Sequence, residues 1–381
     1  MNALQTSDAR PAADTRTFAR ALEAGAQPLA PARWDWGAVR RVLVVRLRSI
    51  GDTVLATPSL YALRRFLPDA QIDLLLEDWV APLLEGNRDA SRILTVRRNS
   101  TTARLALVRR LRAARYDVAF NLHGGSTAAL LTRASGARRR VGYASYRFSG
   151  LHNYAAPAAT DLWRQAKTHS VEQQLGLLGW VGVPVTDRPA ARLFVTGEAD
   201  ASVARRLSSA GIEAAQPYAL FHPAAAFDSK RWDARNFARV AEQLDARGLA
   251  IVAVAAPGET DVVRAFVESA RAPARAFTSF NDLSLPEVTA LAARARLFVG
   301  NDSGIAHIAA AVRTPSVVVF GSSNVAHWRP WTDAPAEVVS EEMPCAPCAG
   351  YTCGEFAEAQ CIRRVTVERV AAAVERVLQA V

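Results

Sequence analysis

The chain has 381 residues, half of them hydrophobic and 22% charged, with a formal net charge of +10. Its length exceeds one ordinary domain and predicts two, and its composition is that of a soluble globular protein. No apolar run reaches the roughly 18 residues of a membrane-spanning helix, and no helix-turn-helix, zinc-finger or aromatic-basic strand motif marks a nucleic-acid module.

The N-terminal stretch mixes acids with arginines and has no apolar core segment, which argues against a secretory signal. Residues 1–38, rich in Ala and Pro, read as a flexible extension. Residues 42–45 (VLVV) predict a buried strand. A helix follows over about 52–66, with apolar residues at 54, 55, 60 and 63, and Pro68-Asp69 stops it. Residues 71–76 (QIDLLL) and 116–122 (YDVAFNL) are further strands with helical pattern between them. This alternation predicts a parallel sheet covered by helices on both faces. Residues 135–165 are less regular and rich in Arg and Tyr. Residues 169–181 are helical, and two prolines in VGVPVTDRPAARLFV place a linker at about 183–210.

The second half repeats the rhythm. Strands are expected at 218–221, 249–256, 296–299 and 316–320. Helices are expected at 236–247, 261–270, 284–293 and 365–379, with Ser284 and Glu287 forming a capping box. The fold class is therefore α/β, with two doubly wound units in tandem. The positive excess is mostly arginine, clustered at Arg109-Arg110, Arg112, Arg115 and Arg138-Arg139-Arg140. Such a surface fits an anionic membrane or a phosphorylated small molecule. A general bias toward Arg and Ala accounts for it equally well.

In doubly wound folds ligands sit beyond the carboxyl ends of the strands. Four turns there carry unusual residues. In RLRSIGDTVLATP (46–58), Asp52 either caps the following helix or lines a site. In FHPAAAFDSKRW (221–232), Lys230 precedes a helix, where a cation and a helix start together suit phosphate; a surface basic pair is the plainer reading. In AAPGE (255–259), Glu259 suits ribose hydroxyls or a first-turn helix position. In LFVGNDSGIAHIAAA (297–311), the N–H groups at 303–305 would point out of a helix start toward a diphosphate. Asp302 would repel that diphosphate, so it suits sugar hydroxyls or ordering of the turn. His307 faces the phosphate or packs.

These four motifs, in this order from about residue 42 to the C-terminus, resemble the heptosyltransferases of glycosyltransferase family 9. Each motif alone is weakly specific. The resemblance implies the GT-B architecture, two Rossmann-like domains facing a cleft. An acceptor domain is expected over 39–190 and a nucleotide-sugar domain over 205–362. A last helix (363–381) would pack back on the first domain. It implies an inverting, metal-independent transfer of heptose from ADP-heptose to a hydroxyl of the lipopolysaccharide inner core. Asp52 would be the general base and Lys230 the diphosphate contact. Glu259 would sit on the ribose and Asp302 on the heptose, with Ser303, Gly304 and His307 around the phosphates. No cofactor would be required. The implied partners are the nucleotide sugar and the anionic core acceptor, in the cytoplasm with peripheral contact at the inner membrane. One departure is local: the family's K-x-W is often followed by proline, and here Asp233 follows.

All four cysteines, Cys345, Cys348, Cys353 and Cys361, fall within 17 residues. Their C-x2-C-x4-C-x7-C spacing resembles a metal site. A structural zinc, two disulfides or free thiols all fit, although a cytosolic chain disfavours stable disulfides. Rival readings are a GT-B enzyme using another nucleotide sugar, a nucleotide-sugar epimerase, a non-catalytic nucleotide-sugar binder, or a metal or redox protein. The last leaves the four polar turns without a use.

Overall fold

The computed structural model describes residues 25–97, 100–270, 277–348 and 352–381. Twelve strands form two six-stranded sheets among these residues. The first contains β1 (Arg41–Val45), β2 (Gln71–Glu77), β3 (Arg92–Val96), β4 (Val118–Asn121), β5 (Arg139–Tyr143) and β6 (Tyr154–Ala156). Its order is β3-β2-β1-β4-β5-β6, every neighbouring pair parallel. The second contains β7 (Tyr218–His222), β8 (Ala250–Val254), β9 (Phe277–Phe280), β10 (Leu297–Asn301), β11 (Ser316–Phe320) and β12 (Ala336–Ser340). Its order, β12-β11-β10-β7-β8-β9, repeats the first topology and is again parallel throughout. The central strands are branched-aliphatic and buried, as a sheet covered on both faces requires.

The strand order reverses between β1 and β4 and again between β7 and β10. Crossover connections leave in opposite directions there and open a crevice at the carboxyl ends. This places the turns after β1, β7 and β10 where a ligand has access.

Four sequence expectations need correction. The helix expected over 52–66 is two helices, Ile50–Val54 and Thr57–Phe66. Pro58 lacks an N–H and can occupy only a first turn, and Thr57 Oγ1 donates to Val54 O at 2.7 Å across the break. Of the expected flexible extension, residues 1–24 lie outside the described residues, but 25–38 are packed. Trp34 and Trp36 are buried, and the Trp36 indole N–H donates to Val181 O at 2.9 Å. The linker expected over 183–210 contains the helix Gly197–Ser209, which packs on the helix Leu285–Arg294 of the second unit. The last helix, Val367–Gln379, does not cross back to the first domain as its main support. It packs on β11, β12 and the helix Ala234–Ala246, burying Val367, Val370, Ala373, Val374 and Val377. That apolar stripe at helical spacing needs a sheet face, and the second sheet supplies the nearest one.

The extended segment between the domains is tied at several points. Arg192 pairs with Asp89 at 2.6 Å and stacks on the Tyr61 ring at 3.6 Å, and Arg65 pairs with Asp187 at 2.5 Å. Leu193 N–H donates to Ala311 O and Ala191 N–H to Trp331 O. His169 and Trp331 stack across the two domains with ring centroids 4.6 Å apart.

Candidate active site

The helix Ile50–Val54 begins four residues after β1, and Ser49 caps it. Asp52 Oδ2 accepts from the Ser49 N–H at 3.0 Å and from Ser49 Oγ at 3.3 Å. Its other oxygen accepts from Arg46 Nη2. The Arg46 side chain is buried, and Nη1 donates to Leu122 O at the end of β4. Burial would raise the Asp52 carboxyl, but the Arg46 charge, the Ser49 N–H and the His123 ring outweigh it and hold the group below the usual carboxylate range. Asp52 is thus an ionised carboxylate that caps its own helix and still has 23% of its side chain open to solvent.

The second domain presents Lys230 and Asp302. Lys230 Nζ stands 2.9 Å from Asp302 Oδ2, with 25% and 6% of the respective side chains exposed. Ser323 Oγ donates to the same Asp302 oxygen. Beneath them, buried Asn301 locks two turns together. Its Oδ1 accepts from the Trp232 N–H at 3.0 Å and its Nδ2 donates to Pro223 O at 2.7 Å. Trp232, fully buried, donates its indole N–H to Val365 O at 2.8 Å. The Lys-Arg-Trp run is therefore anchored from below while Lys230 stays available above.

The two helix starts interlock. A methyl group on Gly51 would stand 2.6 Å from Cδ2 of His307, and one on Gly304 would stand 2.8 Å from Cβ of Ile50. Asp52 and the helix Gly304–Ala311 are thereby brought together from two domains. Burial lowers the His307 ring, partly opposed by the Asp302 and Asp52 carboxylates, so it is neutral near pH 7. Ser303 Oγ and His307 Nδ1 are buried without a hydrogen-bond partner among the described residues. Unspent polar groups at a helix start, beside a lysine, are chemistry that suits a phosphate or other anion.

The remaining candidates are placed differently. Glu259 lies after β8 and accepts from the Ala256 N–H at 2.9 Å, so the carboxylate caps its own turn. It faces buried His222, whose Nδ1 bonds Val254 O at 2.8 Å. Cys345, Cys348, Cys353 and Cys361 form no disulfide, and among the described residues no three His, Cys, Asp or Glu side chains are grouped around a metal position, so the zinc reading gains no support. Cys361 is buried and lies within electrostatic reach of Cys345, Cys348 and Cys353, and the Cys348 N–H ties their loop to Ser322 O.

The sequence pattern of glycosyltransferase family 9 (heptosyltransferase) matches residues 104–357. The chain is 30% identical over 303 residues to lipopolysaccharide heptosyltransferase 3 of Escherichia coli, covering 75% of this chain and 85% of that protein. The chain belongs to glycosyltransferase family 9.

Two solved structures share the fold of this family 9 chain. The ADP-heptose lps heptosyltransferase II of E. coli superposes with a TM-score of 0.74 at 22% identity, over 89% of this chain and 98% of that one. The glycosyl transferase family 9 protein of Veillonella parvula gives a TM-score of 0.77 at 22% identity, over 89% and 97%. The architecture is GT-B, and the chain is a glycosyltransferase.

The motif reading of this family 9 enzyme missed Arg46, His123, Asn301 and Ser323. Arg46 was visible as the first residue of RLRSIGD, but only its side chain's return onto Asp52 assigns it. Asn301 was readable as the polar residue closing β10. Ser323 has no motif, because its contact with Asp302 depends on β11 lying beside β10.

Proposed function

We propose that the enzyme transfers heptose from ADP-heptose to a hydroxyl of the lipopolysaccharide inner core, with inversion at the anomeric carbon and without a metal ion. The observation that carries this reading is the interlock of two helix starts. It sets the Asp52 carboxylate against the anion-binding start of Gly304–Ala311. The relatives' names supply the donor and the acceptor class.

In this reading the acceptor oxygen attacks the anomeric carbon from the side of the first domain. Its proton passes to Asp52 as the new C–O bond forms. The bond from the anomeric carbon to the β-phosphate oxygen breaks, and ADP leaves with the bonding electrons. Charge grows on that diphosphate. Lys230 and the free N–H groups at residues 303–305 stabilise it as fixed, preorganised donors. Ser303 Oγ completes the same cradle. Asp302, held by Lys230 and Ser323, accepts from heptose hydroxyls, and Glu259 from the ribose. Arg46 keeps Asp52 ionised, which favours late proton transfer from an alcohol already bonding to carbon. The reading carries with it a cytoplasmic enzyme in peripheral contact with the inner membrane that displays such an acceptor.

The direct test is transfer itself. Purified protein, ADP-heptose and a heptose-deficient core acceptor should give a heptosylated product with inverted configuration in the presence of a chelator. Transfer only from another nucleotide sugar would replace the donor assignment.

A further inference from the structure

The carboxyl ends of β1 and β2 hold a second set of side chains that the transfer step does not use. Backbone pairing continues past β1. The Arg46 N–H donates to Leu75 O at 3.1 Å and the Glu77 N–H to Leu47 O at 2.7 Å. Arg48 and Glu77 therefore stand side by side, Arg48 Nε 4.0 Å from Glu77 Oε1. One residue after Arg48, the Ser49 N–H holds Asp52. The set thus borders the proposed base.

Glu77 is an unusual residue for a parallel strand end, since only 8% of its side chain is exposed. Its second oxygen accepts from the indole N–H of Trp79 at 2.9 Å. Trp79 itself is 49% exposed, among the most open large apolar side chains described. A tryptophan left this open loses the hydrophobic gain of burial. Its N–H is fixed on a buried carboxylate, so its orientation is fixed too. His123 follows β4, the neighbour of β1 on the side away from β2, and its ring is half-buried. The arrangement is an aromatic plate held at its N–H by a carboxylate, with a guanidinium beside that carboxylate.

Sugar rings match such a plate: apolar C–H groups on a face, hydroxyls at the edge. The Arg48 guanidinium, 44% exposed, adds preference for a carboxylate or phosphate on that sugar. We propose that Trp79, held by Glu77 with Arg48 beside it, is the subsite that binds an acidic sugar of the acceptor near Asp52. This assignment rests on the functional reading above for the identity of the acceptor, but its physical test does not require turnover.

The experiment measures binding of a deacylated, heptose-deficient inner-core oligosaccharide to the full chain without donor, by calorimetry, alongside binding of ADP. Trp79→Ala should weaken oligosaccharide affinity by about tenfold, the loss of one aromatic stacking contact, and leave ADP affinity unchanged. Trp79→Tyr, which keeps a ring, should recover most of the loss, and both variants should keep the wild-type melting temperature within a few degrees. Arg48→Gln should weaken the acidic oligosaccharide and not a neutral heptose-containing one. Equal oligosaccharide affinity in wild type and Trp79→Ala overturns the subsite, as does absence of binding by the wild type. Weakened binding in Trp79→Ala together with no transfer from ADP-heptose by the wild type would instead support the subsite and reject the donor assignment.

Discussion

Gly51 and His307 meet face to face across the two domains, with no space for a methyl group on the glycine. The contact makes a glycine in the first domain a condition for the geometry of a helix start in the second. Gly51→Ala should push the His307 ring or separate the two helix starts, at a cost of about 1–3 kcal/mol for an overpacked contact. Transfer should fall by at least tenfold while each domain keeps its secondary structure. Steady-state kinetics with circular dichroism checks this, and unaltered transfer would show that the crevice tolerates a wider spacing.

Under the proposed function Lys230 has two roles, pairing with Asp302 and contacting the diphosphate, so its removal should have two signatures. Lys230→Met leaves the nearly buried Asp302 with Ser323 alone. Donor affinity should drop by about 1–3 kcal/mol, as expected for a lost charge-assisted contact. The melting temperature should fall as well, because an uncompensated carboxylate stays inside. Double substitution with Asp302→Asn should recover melting temperature but not donor affinity. Calorimetry with ADP and a thermal melt of each variant separate the two effects.

The pH dependence of Asp52 follows from the balance around it. Burial raises its carboxyl and Arg46, Ser49 and His123 lower it further, leaving a depressed folded value. Its contribution to stability is therefore present above the ordinary carboxylate range and lost as pH falls through the folded value. Arg46→Gln removes the largest lowering influence and leaves burial in place. The acid limb of the transfer rate should then move to higher pH. A pH–rate profile of wild type and variant reads this directly; an unmoved limb would assign the limb to another group.

All six histidines, His123, His152, His169, His222, His307 and His327, are held below their ordinary value, by burial first in each case. His169 reaches about 3. It accepts from the Val171 N–H on Nδ1 and bonds Arg329 O through Nε2, so both nitrogens are committed in the neutral form. In the unfolded chain these rings take up protons near pH 6.5, whereas in the folded chain they do so lower. Between the two values the unfolded state binds more protons, so stability falls as pH drops below about 6.5. Urea midpoints should hold from pH 8 to about pH 7 and decline from there to pH 5, and the decline should be smaller in His169→Gln.

Much of this was legible beforehand because the strands are short apolar runs between turns, and each strand that borders the crevice, β1, β4, β7 and β10, is such a run. The last two strands of the first sheet were not. β5 begins in the arginine-rich stretch 138–140 and the edge strand β6 is three residues long, so neither has the apolar pattern that marks a covered strand. The helix break at residues 55–56 was signalled by Pro58, which reads equally as a first-turn residue of one longer helix. The last helix shows its apolar stripe in sequence, but a stripe does not say which sheet it covers. Among the site residues, those in strand-to-helix turns were readable from local chemistry. Arg46 and Ser323 were not, because each acts on a carboxylate through a return of the fold.

The central claim is that Asp52 receives the acceptor's proton. Asp52→Asn keeps size and much of the helix cap and removes the base, so transfer to the core acceptor should fall by at least about a thousandfold, the upper part of the range for a general base. Affinity for ADP should stay near that of the wild type. The measurement is single-turnover transfer with saturating ADP-heptose. Transfer by Asp52→Asn at more than a tenth of the wild-type rate, with donor bound, would contradict the account and leave Asp52 as a helix cap.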